Sequence, residues 1–214
     1  MNRKLRGLLL SAVVLTGGVV VMATEEAAYK EIEKDGKFAV RDYEAHVLAE
    51  TEVKGNLKEA GNKAFRPLFR YISGHNESSG KIAMTAPVSQ SPSGKKIAMT
   101  APVGQQRRGD KWVVSFMMPA SYTLDTLPKP KDAAVKLREV PARRMVAVRY
   151  SGRWSADRFE QHKKELENWV KAQGLVTKGD WVWARYNSPM TPWFMRRNEI
   201  LVEIEPKPQD ESKN

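Results

Sequence analysis

Two segments of this chain read as amphipathic helices with full start and stop signals, and strand-like runs flank each of them. From Asn56 to Ser73, Asn56 can cap the helix, Glu59 stands three positions on as in a capping box, and Gly74 supplies the C-terminal stop. Leu57, Ala60, Ala64, Phe65, Leu68, Phe69 and Ile72 recur at helical spacing and form one apolar face. Pro67 falls inside this face, where the missing N–H costs about 3 kcal/mol, so a kink is expected. In the second helix Ser155 is the cap, Phe159, His162, Leu166, Trp169 and Val170 make the apolar face, and Gly174 ends it. Strand patterns lie at 37–53, 111–119, 145–150, 181–186 and 199–205, and the 111–119 run is apolar on both faces, as in a central strand. The order strand, strand, helix, strand, strand thus occurs twice, with 121–131 as the crossover, and Val40–Ala45 is echoed by Leu137–Ala142. The predicted class is α+β: a pseudo-two-fold, duplicated strand–helix–strand unit whose strongly curved sheet forms a distorted open β-barrel carrying two helices.

Between the first helix and the central strand, the octapeptide KIAMTAPV stands twice, at Lys81–Val88 and at Lys96–Val103. Ile82, Met84, Ala86 and Val88 alternate with Ala83, Thr85 and Pro87, which is the period of a strand. Pro87 and Pro102 give no N–H to a ladder, so each copy should end at an edge, a bulge or a strand end. The Ser-Pro-Ser-Gly between them has turn composition.

Composition limits the chemistry. There is no Cys, hence no disulfide, thiol nucleophile or thiolate metal site. The net charge is +11, and Arg3, Lys4 and Arg6 account for three of those charges, leaving eight on the rest. Such a surface favours anionic partners, among them a carboxylate-bearing ligand, anionic lipid or nucleic acid. The cations are dispersed in short pairs such as Arg143-Arg144 and Arg196-Arg197, without a dense basic block interleaved with aromatics, so a nucleic-acid partner is not expected.

Residues 1–23 have the build of a targeting segment: a basic start, an apolar run from Leu8, and small residues in Val21-Met22-Ala23. The run is shorter than the roughly 20 residues a membrane span needs. Export with cleavage after Ala23, to the periplasm or cell envelope, is the expectation, with an uncleaved N-terminal membrane anchor as the alternative. The globular domain is expected over 28–206, as a monomer, followed by a polar tail at 207–214.

Catalytic motifs are missing. No Gly-rich phosphate loop follows a strand, no Gly-x-Ser-x-Gly is present, and His46, His75 and His162 share no metal-ligand spacing. An enzyme is therefore not expected. Seven Met lie beyond residue 23, and methionine adapts to flat apolar ligands as readily as it fills cores.

The KIAMTAPV copies and a second segment, Pro192-Trp-Phe-Met-Arg-Arg-Asn-Glu199, resemble the two signatures of the SOUL heme-binding-protein family. The resemblance extends from about Tyr29 to Pro206. It implies the same two-helix architecture, shared with bacterial effector-binding domains of the gyrase-inhibitor-like type. It also implies non-enzymatic binding of heme, or of another tetrapyrrole or flat amphipathic ligand, held weakly and without a covalent bond. Aligned on Tyr71-Ile-Ser-Gly74, the helix positions implied for a tetrapyrrole are Asn62, Phe65, Phe69 and Arg70, the two Phe as an apolar surface and Arg70 as a propionate partner. Some members carry an axial His where this chain has Asp42; His46, four residues on and so expected on the same side of the same strand, is the substitute it offers. Met84 is a further apolar contact, and Trp193, in the loop 189–194, is read as part of a lid. Glu199 stands on a strand where effector-binding domains aim a Glu at their ligand groove. A small-molecule hydrolase with Glu199 as base, and a peptide- or lipid-binding module, are the rival readings of the same groove.

Overall fold

The structure is a computed structural model that describes residues 24–77 and 94–205. The leader, the first KIAMTAPV copy with Met84, and the polar tail lie outside the described residues.

A nine-stranded antiparallel sheet forms the body of the domain. Its strands are β1 (Tyr29–Asp35), β2 (Phe38–Tyr43), β3 (His46–Val53), β5 (Val103–Arg108), β6 (Lys111–Met117), β8 (Lys136–Val140), β9 (Arg143–Tyr150), β10 (Thr177–Arg185) and β11 (Asn198–Ile204). They lie side by side as β1-β2-β9-β11-β10-β5-β6-β3-β8, and β4 (Asn76–Glu77) pairs separately with β7 (Lys129–Pro130). β1 and β8 are the two ends and do not pair with each other. The sheet is therefore open, in keeping with the open barrel expected from the sequence.

Helices α1 (Leu57–Ile72) and α2 (Ala156–Ala172) pack on one face of the sheet. Both start where the local chemistry puts them: the Glu59 N–H donates to Asn56 Oδ1 at 2.9 Å, and the Arg158 N–H donates to Ser155 Oγ at 3.3 Å. Helix α1 runs through Pro67 without a break in its assignment. The α1 face that is buried comprises Leu57, Ala60, Gly61, Ala64, Leu68, Tyr71 and Ile72. Phe65 and Phe69, expected within that face, stay exposed at its edge and stack on each other with ring centroids 5.7 Å apart.

Under α2, Val146, Val148, Ile200, Val202 and Trp183 meet Phe159, Leu166 and Trp169. Under α1, Val47, Ala49, Val114 and Phe116 meet Ala64 and Leu68. The opposite, helix-free face has a smaller cluster of Tyr43, Met145, Ala147, Ala184 and Leu201. β11 lies inside the sheet with both faces covered, so Glu199 and Leu201 are as buried as Ile200 and Val202.

The second KIAMTAPV copy is the clearest departure from expectation. Only Val103 belongs to a strand; Lys96–Thr100 has no ladder partner. Ile97, Thr100 and Ala101 are buried, whereas Met99 is 39% exposed, and this is not the alternation of a strand. The segment is a strap across the end of α1. Its Ile97 N–H donates to Ile72 O, its Ala101 N–H donates to Glu25 O, and Thr100 Oγ1 donates to Met117 O.

Candidate functional site

The strap, the edge of α1 and the loop after β10 enclose a cleft of about 490 Å³. Asn62, Phe65 and Phe69 form one wall, Met99 and Val103 the floor, and Trp154, Arg185, Tyr186 and Pro189 the other wall. It opens where β5 meets β10, with Val103 opposite Arg185 in register. This size suits a ligand of tetrapyrrole scale. A second hollow, on the helix-free face between Tyr43, His46, Met117 and Met145, has a cavity volume of only about 70 Å³, room for little more than water.

Arg185 is the residue in the cleft that sequence reasoning missed. Its guanidinium lies 5.1 Å from the Trp154 ring centroid and 5.4 Å from that of Trp183. The one side-chain acceptor it meets is the neutral Gln105 Oε1, at 3.2 Å from Nη2, and its buried Nε has no partner. No carboxylate pairs with it among the described residues. Burial depresses its pKa to about 10, so it stays cationic at neutral pH while poorly solvated. A partly desolvated cation without a counter-charge, beside stacked aromatics, is an electrostatic seat for an incoming carboxylate. Gly61 makes room for it: a Cβ there would stand 3.2 Å from Arg185 Nη2. A glycine inside a helix costs about 1 kcal/mol relative to alanine, and here the close approach of the guanidinium accounts for it.

Arg70, expected beside the two Phe, lies outside the cleft and meets His75 Nε2 at 3.0 Å on the surface. His46 is not on the same strand as Asp42. Asp42 lies in β2, in a bidentate pair with Arg144 at 2.6 and 2.8 Å, whereas His46 opens β3, which does not neighbour β2. His46 Nδ1 meets Glu44 O at 2.8 Å, burial lowers its pKa, and its ring faces the small helix-free hollow. No histidine lines the cleft. Among the described residues, no group of three or more His, Asp or Glu is placed to hold a metal ion.

The segment Pro192–Glu199 builds the site from behind. Arg196 donates to Thr191 O and Pro189 O at 2.8 and 2.7 Å and lies 4.4 Å over the Trp154 ring. Asn198 Oδ1 accepts from the Trp154 indole at 2.8 Å, which fixes the ring against the cleft. Trp193 does not line the cleft; it stands on the outer side of the loop in a short 3₁₀ turn, Trp193–Met195.

Glu199 is 0% exposed and carries an ion-pair network. It accepts from Arg41 Nη1 at 2.8 Å, from Arg197 Nη2 at 3.0 Å and from the Tyr186 hydroxyl at 2.8 Å. Burial pushes its carboxyl up, but the Arg41 and Arg197 charges and the Tyr186 hydrogen bond outweigh burial and hold it below the ordinary carboxylate value. A carboxylate so committed is a weak proton acceptor. Its task here is to hold Tyr186, a wall of the cleft, in place.

The chain is 25% identical over 172 residues to heme-binding protein 1 of Xenopus laevis, covering 78% of this chain and 84% of that one. It is 25% identical over 191 residues to the mouse protein of the same name, covering 89% and 88%. Among solved structures, a hydrolase from Listeria innocua superposes with a TM-score of 0.55 at 14% identity, over 81% of this chain and 94% of that one. The C-terminal domain of EcmrR superposes with a TM-score of 0.55 at 12% identity, over 83% and 98%. These two likenesses show the fold, an open antiparallel sheet with two helices. The family model described as SOUL heme-binding protein matches residues 24–203, and the chain belongs to that family.

Proposed function

We propose that this protein binds, without catalysing a reaction, a flat amphipathic ligand with a carboxylate, such as heme or a metal-free porphyrin. The observation that carries this reading is Arg185, an uncompensated cation between two tryptophans at the wall of a cleft otherwise lined by Phe65, Phe69 and Met99. The rings offer apolar area and stacking surface, and Arg185 offers charge to a propionate. Family membership and the name of the curated relatives point to the same ligand class. The side chains fit the organic ring and its acid group better than they fit the iron. Among the described residues the cleft lacks imidazole, Met99 is its one thioether, and the Tyr186 hydroxyl is engaged with Glu199. The hydrolase reading lacks support in the chemistry, because Glu199 is locked by two arginines.

Titration with hemin and with iron-free porphyrin tests the proposal. Both are expected to bind with similar affinity, and Arg185→Met is expected to weaken both about tenfold or more, as loss of a charge-assisted contact does. Esterification of the propionates should weaken binding by the same factor in the wild type and by less in Arg185→Met. His46→Ala should bind as the wild type does. Binding unchanged in Arg185→Met, or confined to hemin and abolished in His46→Ala, overturns the proposal.

We also infer that the domain is an internal duplication. Exchanging β2, β3, α1, β5 and β6 with β8, β9, α2, β10 and β11, element for element, reverses the order of those eight strands onto itself. Failure of the two units to superpose as Cα traces would remove this inference.

A further inference from the structure

The loop between β10 and β11 exposes more apolar surface than a folded loop ordinarily does. Met190 is 89%, Phe194 61% and Met195 65% exposed, and Trp193 is half exposed beside them. The backbone beneath is tied down. Gly152 N–H donates to Trp193 O at 3.0 Å, Arg197 N–H donates to Asn187 Oδ1 at 2.6 Å, and Arg196 grips two carbonyls of the loop. Four large apolar side chains are thus held in water by an ordered ridge, where they add nothing to a core. Contiguous apolar surface of this kind marks a site of association.

The ground next to the ridge is cationic. Phe194 and Met195 line a broad cleft with Lys34, Lys37, Arg41, Arg149, Arg196 and Arg197, and among the described residues Glu31 is its one lining acid. Arg41 and Arg197 are neutralised by Glu199, Lys37 pairs with Glu165, and Lys34 pairs with Glu31. Arg149 and Arg196 have no carboxylate partner among the described residues, and Arg149 is exposed. Arg153, also without one, stands 5.8 Å over the Trp193 ring.

We propose that this ridge and cleft dock the protein on a bilayer containing anionic phospholipid. Trp193, Phe194 and Met195 enter at headgroup level, and Arg149, Arg153 and Arg196 meet lipid phosphates. Tryptophan with neighbouring aromatic and aliphatic side chains favours that depth, and basic residues beside it add attraction to a negative surface. Both parts of the surface are needed: the cations alone describe a soluble-anion site and the apolar ridge alone a protein contact. Among the described residues this surface and the cleft beside Phe65 share no lining residue, and the Arg196 side chain touches both.

The test uses the full chain, so that residues 1–23 are present in every sample and their contribution is common to all. Wild type, Trp193→Ser/Phe194→Ser/Met195→Ser, and Arg149→Glu are sedimented with vesicles of phosphatidylcholine alone and of phosphatidylcholine with phosphatidylglycerol. Wild type is expected to partition about tenfold or more in favour of the anionic vesicles. The triple variant should lose about tenfold on them, and Arg149→Glu about fivefold or more, with phosphatidylcholine unaffected by the latter. Brominated lipid should quench Trp193, read as the difference between wild type and Trp193→Phe. Partition equal in all three proteins, or no quenching attributable to Trp193, overturns the proposal. So does release of wild type from the anionic vesicles by millimolar inorganic phosphate at constant ionic strength, which would mark a soluble-anion site.

Discussion

Glu199 is buried, fully ionised and paired, and the direction of its effect on stability follows from what surrounds it. Removing a buried carboxylate strands its partner cations away from water, which typically costs about 3–5 kcal/mol. Arg41 carries most of this cost: it is 5% accessible, and among the described residues the one side-chain hydrogen-bond partner left to it without Glu199 is the Tyr43 hydroxyl at 3.3 Å. Arg197 keeps Glu26 at 2.8 Å and suffers less. Glu199→Leu is therefore expected to lower stability by about 3–5 kcal/mol in denaturant unfolding. Arg41→Met combined with Glu199→Leu should recover most of that loss, since apolar replacement of a buried pair is often near neutral. A single variant as stable as the wild type would show that water reaches Arg41.

At the scale of elements, the helices were legible because their signals are local. Asn56 and Ser155 cap helices by contacts three residues away, and Gly74 and Gly174 take the positive φ values that end them. The strap was misread because alternation of apolar residues cannot tell a strand from an extended segment whose burial is set by neighbours. Thr100 is buried through its bond to Met117 O, and Met99 turns out to the cleft. The cleft itself was half legible. Asn62, Phe65 and Phe69 came from the resemblance, aligned on Tyr71-Ile-Ser-Gly74, and line the cleft together, whereas Arg185 and Trp154 arrive from distant elements and show their meaning only through what they lack or touch. His46 was misplaced because the turn at Glu44-Ala45 separates it from β2. The strap's burial pattern yields a paired prediction. Ile97→Ala should cost about 2–5 kcal/mol, as truncation in a packed core does, whereas Met99→Asp should cost under about 1 kcal/mol because its side chain already reaches solvent. Equal melting temperatures for Ile97→Ala and wild type would show that the strap is not part of the core.

For the whole molecule, one of the contacts that tie α2 to the β1–β2 hairpin is ionic and should make stability depend on acid. Glu165, on α2, accepts from Lys37 Nζ at 2.6 Å and meets His162 Nδ1 at 2.7 Å. Lys37 lies in the turn between β1 and β2, so this contact clamps the β1–β2 hairpin to the helix layer, beside Phe38 stacked on Trp169 at 5.4 Å. The hydrogen bond from Lys37 chiefly, with His162 adding to it and partial burial opposing, lowers the Glu165 pKa from 4.5 to about 2. A carboxyl whose folded pKa is depressed binds its proton more readily in the unfolded chain. Its contribution to stability is therefore full above about pH 4.5 and lost as pH falls toward about 2. Glu165 is partly solvated, so screening keeps this contribution modest. Glu199, depressed in the same direction, adds to the loss in acid. Wild type is thus expected to lose melting temperature steadily through this window. Glu165→Gln should start lower at neutral pH and fall less steeply, the two curves converging near pH 2 at low salt. Parallel curves for the two proteins across the window would show that the clamp carries no free energy and that the Phe38–Trp169 stack, with the Trp169 indole donating to Asp35 Oδ2 at 2.8 Å, holds the hairpin to α2.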